Sequence, residues 1–280
     1  MKFFKNEGKW LKGALHLHTT GSDGLKTPEE LAQIYANNGY KFIAFTDHKV
    51  VTGLGKAPGG LIIIKGTEIG HGLYHAVGIG MTEAVGNPVN DKKYILKIME
   101  KAKFYFLCHP YWSDLNLEDV KELKGLGVLE VFNTACEISI ARGYSEYLWD
   151  SVLSAGIRMN AIAADDSHQR LKDYCKAWVF VKAATPDENG ILEALKNGYY
   201  YSSNGPEIRD AVVDEEGISV VTSRVKQIRF IAKSWLGEVF ESEKGLTKAR
   251  YEFSGKEMYV RVECVDFEGR KAWSNPYYVD

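Results

Sequence analysis

The chain has little cysteine for its length: four in 280 residues, Cys108, Cys136, Cys175 and Cys264, with no C-x-x-C pair among them. So few, so scattered, they exclude a disulfide framework. The opening MKFFKNEGKWLKG has no apolar core of the kind a secretion signal carries, so a reduced, cytoplasmic protein is expected. Long hydrophobic runs are missing too. The longest, such as LIIIKG at 61–66, are far too short to cross a bilayer, and no membrane association is expected. Nor is there an excess of charge of one sign. The 35 Lys and Arg against 37 Asp and Glu leave a formal net charge of −2, which removes the electrostatic case for bulk nucleic-acid binding. No internal repeat or low-complexity segment is present. What remains is a composition 45% hydrophobic and 26% charged, enough to bury a full core in one large domain with a smaller one beside it.

The first two hundred residues alternate short apolar runs with helical spacing, which predicts an α/β protein of about seven βα units around a largely parallel sheet. Strands are expected at Ala14–His18, Phe42–Thr46, Leu61–Lys65, Tyr74–Ile79, Phe104–Cys108, Val128–Phe132, Ile157–Ala163 and Trp178–Lys182. Two helices start with one device, Thr27-Pro28-Glu29-Glu30 and Thr185-Pro186-Asp187-Glu188, in which Thr caps and Pro takes the first position; Gly39 and Gly198 end them. Weaker helical spacing covers 89–103, 117–124 and 143–155. After Tyr199-Tyr200-Tyr201-Ser202-Ser203-Asn204-Gly205-Pro206 the pattern turns to short β-rich runs. A barrel over residues 1–206 and a small all-β domain over 207–280, packed on the barrel, are therefore expected.

Six of the seven histidines fall in short knots that also hold acids: His16 and His18 in LHLHTTGSDG, His48 in FTDHK, His75 in GTEIGHGLYHAVG, His109 in CHP and His168 in ADDSH. Neutral imidazole and carboxylate together are the donors that Zn, Mn and Fe sites use, and Asp23, Glu68 and Asp166 supply the acids. Residues two apart on a strand face the same side, so His16-x-His18 and Asp166-x-His168 each point a pair of donors into one cavity. His48, Glu68 and His109 also follow predicted strands, and parallel barrels build their sites at the C-terminal strand ends. His71 falls in a glycine-flanked loop and is left out of this set. Cys108 is expected to face the helices, and Asp47 and Asp165 to orient imidazoles or bound water from behind, with plain turn or capping roles as the alternative. Glu130 and Asn133 end a strand at the same mouth, placed to touch substrate or to satisfy backbone groups. Trp112, Tyr144 and Trp149 either wall a pocket or fill core.

These motifs, LHLHTTGSDG, FTDHK, GTE followed by HAVGIG, CHP and ADDSH, resemble in order those of the PHP family, named for its polymerase and histidinol phosphatase members, over residues 13–168. LWDSVLSAG before ADDSH, with YYYSSNGP, is similar to a carbamate-hydrolase-like branch. The resemblance implies a distorted (β/α)7 TIM-like barrel and three divalent ions, Zn, Mn or Fe. His16, His18, Glu68 and Asp166 would hold the first; Glu68, His75 and His109 the second, with Glu68 bridging; Asp23, His48 and His168 the third. Glu68, Asp166 and His168 are the expected catalytic residues. Lys49 stands where the family often has Asn.

The activity expected is hydrolysis of a small phosphate ester or nucleotide by a metal-activated water, with Arg142 and Arg170 as candidate phosphate clamps. Hydrolysis of a carbamate, amide or ester is the alternative. A non-catalytic scaffold is the third reading, and the complete donor set argues against it. Ligation requires deprotonated imidazole, so bound metal measured by atomic emission should fall as the medium is acidified, and Glu68→Ala should lose two ions together. Loss of a single ion would overturn the bridging role.

Overall fold

The fold is seen in a computed structural model that describes residues 7–83, 85 and 93–279. In chain order the elements are β1 (Lys9–Ala14), α1 (Pro28–Asn37), β2 (Phe42–Phe45), a 3-10 turn (Pro58–Gly60), β3 (Ile62–His71), β4 (Tyr74–Ile79), α2 (Lys93–Lys101), β5 (Phe104–Leu107) and α3 (Leu117–Glu122). They continue with β6 (Val128–Asn133), α4 (Thr134–Ile140), α5 (Glu146–Ser154), β7 (Asn160–Ala164), β8 (Trp178–Ala183), α6 (Glu188–Lys196) and β9 (Tyr200–Ser203). The rest is strand: β10 (Ile208–Val213), β11 (Gly217–Ala232), β12 (Gly237–Glu252), β13 (Tyr259–Val265), β14 (Lys271–Ser274) and β15 (Tyr277–Tyr278). Residues 89–92 of the helix expected at 89–103 lie outside the described residues. No helix among those described is long and apolar enough to cross a membrane.

Local chemistry explains the helix ends. Thr27 caps α1 through a reciprocal box with Glu30 and Pro28 opens the helix, as the sequence predicts. At α6 the cap is Asp187 and not Thr185, because the Asp187 carboxylate accepts the Gly190 N–H at 2.8 Å. α4 was not anticipated. It is a single short segment whose start is capped by the Asn133 side chain accepting from the Cys136 N–H.

The sheet corrects the barrel expectation: it is a mixed sheet of 15 strands whose main path runs β10-β11-β13-β14-β9-β8-β1-β2-β3-β4-β5-β6-β7, and it does not close. β8 pairs antiparallel with Lys9–Gly13 of β1, taking the edge that β7 would need to complete a ring. β4 is antiparallel to both neighbours, because the chain reverses at Gly72, φ 59°, straight out of β3. The first strand also differs from expectation, since its ladder covers Lys9–Ala14 and the histidines lie beyond it. Residues past Ala14 meet the end of β7 through an isolated parallel bridge, Leu17 to Ser167.

Inside the curve of the sheet, Leu11, Phe42, Val77, Phe106 and Ile162 form one apolar cluster into which Ile191, Leu192 and Leu195 of α6 pack. Cys108 belongs to this cluster with Phe104 and Phe106, every second residue of β5 and its extension, so it lies on the side of His16, Glu130 and α6 and not, as the sequence predicts, on the side that α2 and α5 cover.

β9 pairs with both β8 and β14, so hydrogen bonding is continuous across Pro206. A charge network reinforces this junction. Arg261 of β13 is buried, binds Asp150 of α5 bidentately at 2.7 and 2.8 Å, lies over the Trp149 ring and reaches Glu263 at 3.1 Å. Asp150→Ala leaves that guanidinium short of its main partner, and urea unfolding should show a loss of about 3 kcal/mol. A change near zero would mean that Glu263 alone satisfies Arg261.

Candidate metal centre

Two backbone hydrogen bonds assemble the centre: Asp166 N–H to His16 O and His18 N–H to Ser167 O, both 3.0 Å. They set the H-x-H and D-x-H segments side by side at the mouth. Thr46 N–H to Leu17 O and Glu68 N–H to Thr46 O, at 2.9 and 3.0 Å, add the ends of β2 and the middle of β3. Asp166 and His109 take left-handed backbone, φ 51° and 28°, which turns their side chains inward just past β7 and β5.

All nine residues expected as donors come together. His16 Nε2 lies 3.1 Å from Glu68 Oε2 and 3.2 Å from Asp166 Oδ1, and His18 Nε2 lies 3.1 Å from each of the same two oxygens. His75 Nδ1 and His109 Nε2 approach the other Glu68 oxygen, Oε1, at 2.9 and 3.4 Å. Asp23 meets His168 Nε2 at 3.2 Å, His18 Nδ1 at 3.6 Å and His48 Nε2 at 3.7 Å. The nine fall into three groups of donor atoms: His16, His18, Glu68 and Asp166; Glu68, His75 and His109; and His18, Asp23, His48 and His168; a fourth group among the described residues joins His16 to Cys108 and Glu130. His18 stands between the first and third with one ring nitrogen toward each. The two oxygens of Glu68 divide between groups, the geometry that a bridging carboxylate needs.

The donor atoms fit metal. Ligands bound to one ion at about 2.0–2.2 Å stand about 3.0–3.4 Å apart. The distances in the first group match, and both ring nitrogens of His18 and Asp166 Oδ1 are buried without a hydrogen-bond partner. Buried polar atoms in contact yet not aligned to bond one another are costly unless a third body satisfies them.

The remaining ring atoms are held from behind. Glu130 is the residue that sequence reasoning underrated: fully buried, it takes His16 Nδ1 at 2.7 Å, the His109 N–H at 2.6 Å and Asn133 Nδ2 at 2.9 Å. It fixes the His16 tautomer so that Nε2 faces the donors. Its place at a strand end by the mouth signalled a contact with backbone groups, which the His109 N–H supplies, but not the bond to His16. Asn133 also donates to Asp166 Oδ2 at 3.2 Å, His109 Nδ1 meets Ser113 Oγ at 3.2 Å and His168 Nδ1 meets Asp166 O at 2.9 Å.

Asp47 and Asp165 do not orient imidazoles. Asp47 ties down the loop before Asp23 through Thr19, Ser22 and Thr52, whereas Asp165 collects Tyr35, Thr134 and the N–H groups of Cys175, Lys176 and Ala177. Both stabilise loops that carry donors.

The donors floor a cleft of about 400 Å³ whose lining includes Trp112, Ala135, Cys136, Ser139, Arg170, Leu171 and Asp173. Arg170 reaches it; Arg142 does not, and lies over the Tyr111 ring and 3.9 Å from Asp114. Of the three candidate aromatic walls only Trp112 is in the cleft. Trp149 is buried and bonds Met159 O, and Tyr144 packs on Phe132.

Comparison with solved structures gives this mixed sheet a particular likeness. The chain shares its fold with a two-domain protein from Bacteroides vulgatus containing a predicted PHP-like metal-dependent phosphoesterase: TM-score 0.59, 18% identity, 97% of this chain and 95% of that one covered. This agrees with the PHP resemblance of the motifs. Lesser overlaps occur with a protein from Bifidobacterium adolescentis named as a metal-dependent phosphoesterase (TM-score 0.45, 15% identity, 66% and 96% covered) and with an amidohydrolase from Chromobacterium violaceum (TM-score 0.40, 15% identity, 57% and 89% covered). No family model and no curated protein matches the sequence.

Electrostatics follow from burial opposed by partners. Burial alone would depress His16 and His18, but Asp166, Glu130 and Glu68 outweigh it at His16, lifting it well above its ordinary value, and Asp166 and Glu68 outweigh it at His18, lifting it to about 9. Burial would raise Glu68 and Asp166; the imidazoles around them hold both below the usual carboxylate range. Without metal, then, protons supply the positive charge. A raised folded pKa gives stability that is complete below the ordinary value of 6.5 and lost as pH rises through about 9. Thermal melts of metal-free protein should therefore show Tm falling between these values, while the gain in Tm on adding Mn or Zn grows as His18 gives up its proton. A metal-induced gain independent of pH would contradict His18 as a donor.

Proposed function

We propose that the chain is a metal-dependent hydrolase of the PHP type, most simply a phosphoesterase acting on a small substrate at a three-ion centre. The observation that carries this reading is the division of Glu68 between donor groups, together with the unpartnered nitrogens of His18. In this reading His16, His18, Glu68 and Asp166 hold one ion, Glu68, His75 and His109 a second, and Asp23, His48 and His168 a third, with His18 at the boundary. Zn, Mn and Fe all suit such nitrogen and oxygen donors. Bound ions would supply Lewis acidity and a water acidified toward neutrality.

The chain's own residues do the rest. Glu130 fixes the His16 tautomer, Ser113 holds the His109 ring in place, and Asn133 steadies Asp166. Glu68, Asp166 and His168 border the reacting position, and Arg170 offers its guanidinium to an anionic oxygen from the cleft wall. The division into a metallohydrolase unit over 1–206 and a β unit over 207–280 belongs to the same reading.

A second reading, hydrolysis of a carbamate, amide or ester as in the carbamate-hydrolase-like branch, draws support from the cleft wall, where Arg170 is the one Lys or Arg among the lining residues. Protein reconstituted separately with Mn, Zn and Fe, assayed on paired phosphate esters and aryl carbamates, separates the two. Turnover of phosphate esters, abolished by chelation, is expected; turnover of carbamates alone would replace the first reading by the second.

A further inference from the structure

Beyond the donors, the cleft is walled by side chains with no partner in the reading above. Trp112 stands edge-on to His75 and His109, ring centroids 5.9 and 5.0 Å away, yet is 42% exposed. Leu171 lines the same cleft and is 52% exposed. The loop that presents Leu171 is firmly built. Gln169 and Lys172 on either side are left-handed, φ 61° and 55°. The Asp173 carboxylate accepts from Ser167 Oγ and from the His168 and Gln169 N–H groups, and the Gln169 side chain bonds Leu25, Lys26 and His18. Backbone strain of this kind persists where the surroundings enforce it, characteristically at ligand clamps. Here it holds a largely exposed leucine in the lining of the cleft that Trp112 also lines.

The polar groups of the walls are already engaged, apart from the guanidinium donors of Arg170 not turned to Asp23. Ser139 Oγ donates to Cys136 O, and Arg170 Nη2 donates to Asp23 O at 3.0 Å and lies 3.8 Å from Asp23 Oδ2. Outside the donor cluster, then, the lining residues offer little to read the polar edge of a base, and no second cation for a second phosphate.

Building on the hydrolase reading, we infer that the cleft selects phosphate monoesters of flat apolar alcohols, aryl phosphates, with the ring between Trp112 and Leu171 and a single phosphoryl group over the donors, in preference to nucleotides. The chemistry suits the walls. Water adds to phosphorus, the bond from phosphorus to the aryl oxygen breaks with its electron pair on that oxygen, the hydroxyl stays on phosphorus and the proton passes through solvent to the aryl oxide. An aryl oxide leaves without prior protonation, so the walls need no general acid. Covering the exposed tryptophan face and leucine supplies the selectivity.

Calorimetry on the Mn-loaded full chain with phenylphosphonate and methylphosphonate tests the subsite apart from catalysis. Phenylphosphonate should bind roughly tenfold tighter. Trp112→Ala and, separately, Leu171→Ser should shrink that ratio, and Trp112→Phe should keep most of it, with metal content unchanged in all three. In turnover, phenyl phosphate should exceed adenosine 5′-monophosphate in kcat/KM by a similar factor. Equal binding of the two phosphonates, a ratio indifferent to Trp112 and Leu171, or a preference for the nucleotide would overturn the inference. Selective, Trp112-dependent binding without turnover of any phosphate ester would uphold the subsite and remove the phosphoesterase reading instead.

Discussion

Three carboxylates, Glu68, Glu130 and Asp166, are buried together against imidazoles, and the mouth of the molecule is built around satisfying that charge. Acids so placed are tolerable only when positive charge or hydrogen-bond donors meet them. Glu130 is met by fixed donors: an imidazole, a backbone N–H and an amide. Glu68 and Asp166 are met by imidazoles at 2.9–3.4 Å, several of them without hydrogen-bond alignment. The difference separates a carboxylate that positions a ligand from carboxylates that are themselves arranged as ligands.

The open sheet follows from how the chain spends its strand edges. β8 occupies the edge of β1 along Lys9–Gly13, so β7 can meet the first strand only beyond Ala14, where the His-x-His segment lies. The His-x-His and Asp-x-His donors thus sit where ladder pairing gives way to a single bridge, whereas Glu68 and His75 lie within the β3–β4 ladder. Backbone there is free to take the left-handed turns at His109 and Asp166 that regular strand would forbid. The edge used by β8 also leads through β9 to β14, so the choice that leaves the sheet open also joins it to the C-terminal strands.

Much of the site was legible in order and spacing. The nine donors were named from short knots of His with Asp or Glu, because strand alternation aims residues two apart in one direction. The shell behind them was not legible. Asp47 and Asp165 adjoin donors in sequence yet bond loops, whereas Glu130, far from any knot, takes the imidazole. Neighbours along a strand point to opposite sides, so adjacency in sequence argues against shared contacts. Arg142 and Arg170 looked alike as cations near motifs, and only the path of the loops puts one in the cleft and the other over Tyr111.

By itself the sequence determined most of the element types (α4 excepted), the start of α1, the turn to β structure after Pro206 and the set of side chains able to hold metal, since these depend on periodicity, caps and donor chemistry within a few residues. Tertiary structure alone decided that the sheet stays open, that His18 faces two donor groups and that Glu68 divides its oxygens. It also decided that Cys108 turns toward His16 and Glu130 and that Trp112 and Leu171 line one cleft. These depend on which edges pair and how distant segments cross, a competition between strands that no local pattern records.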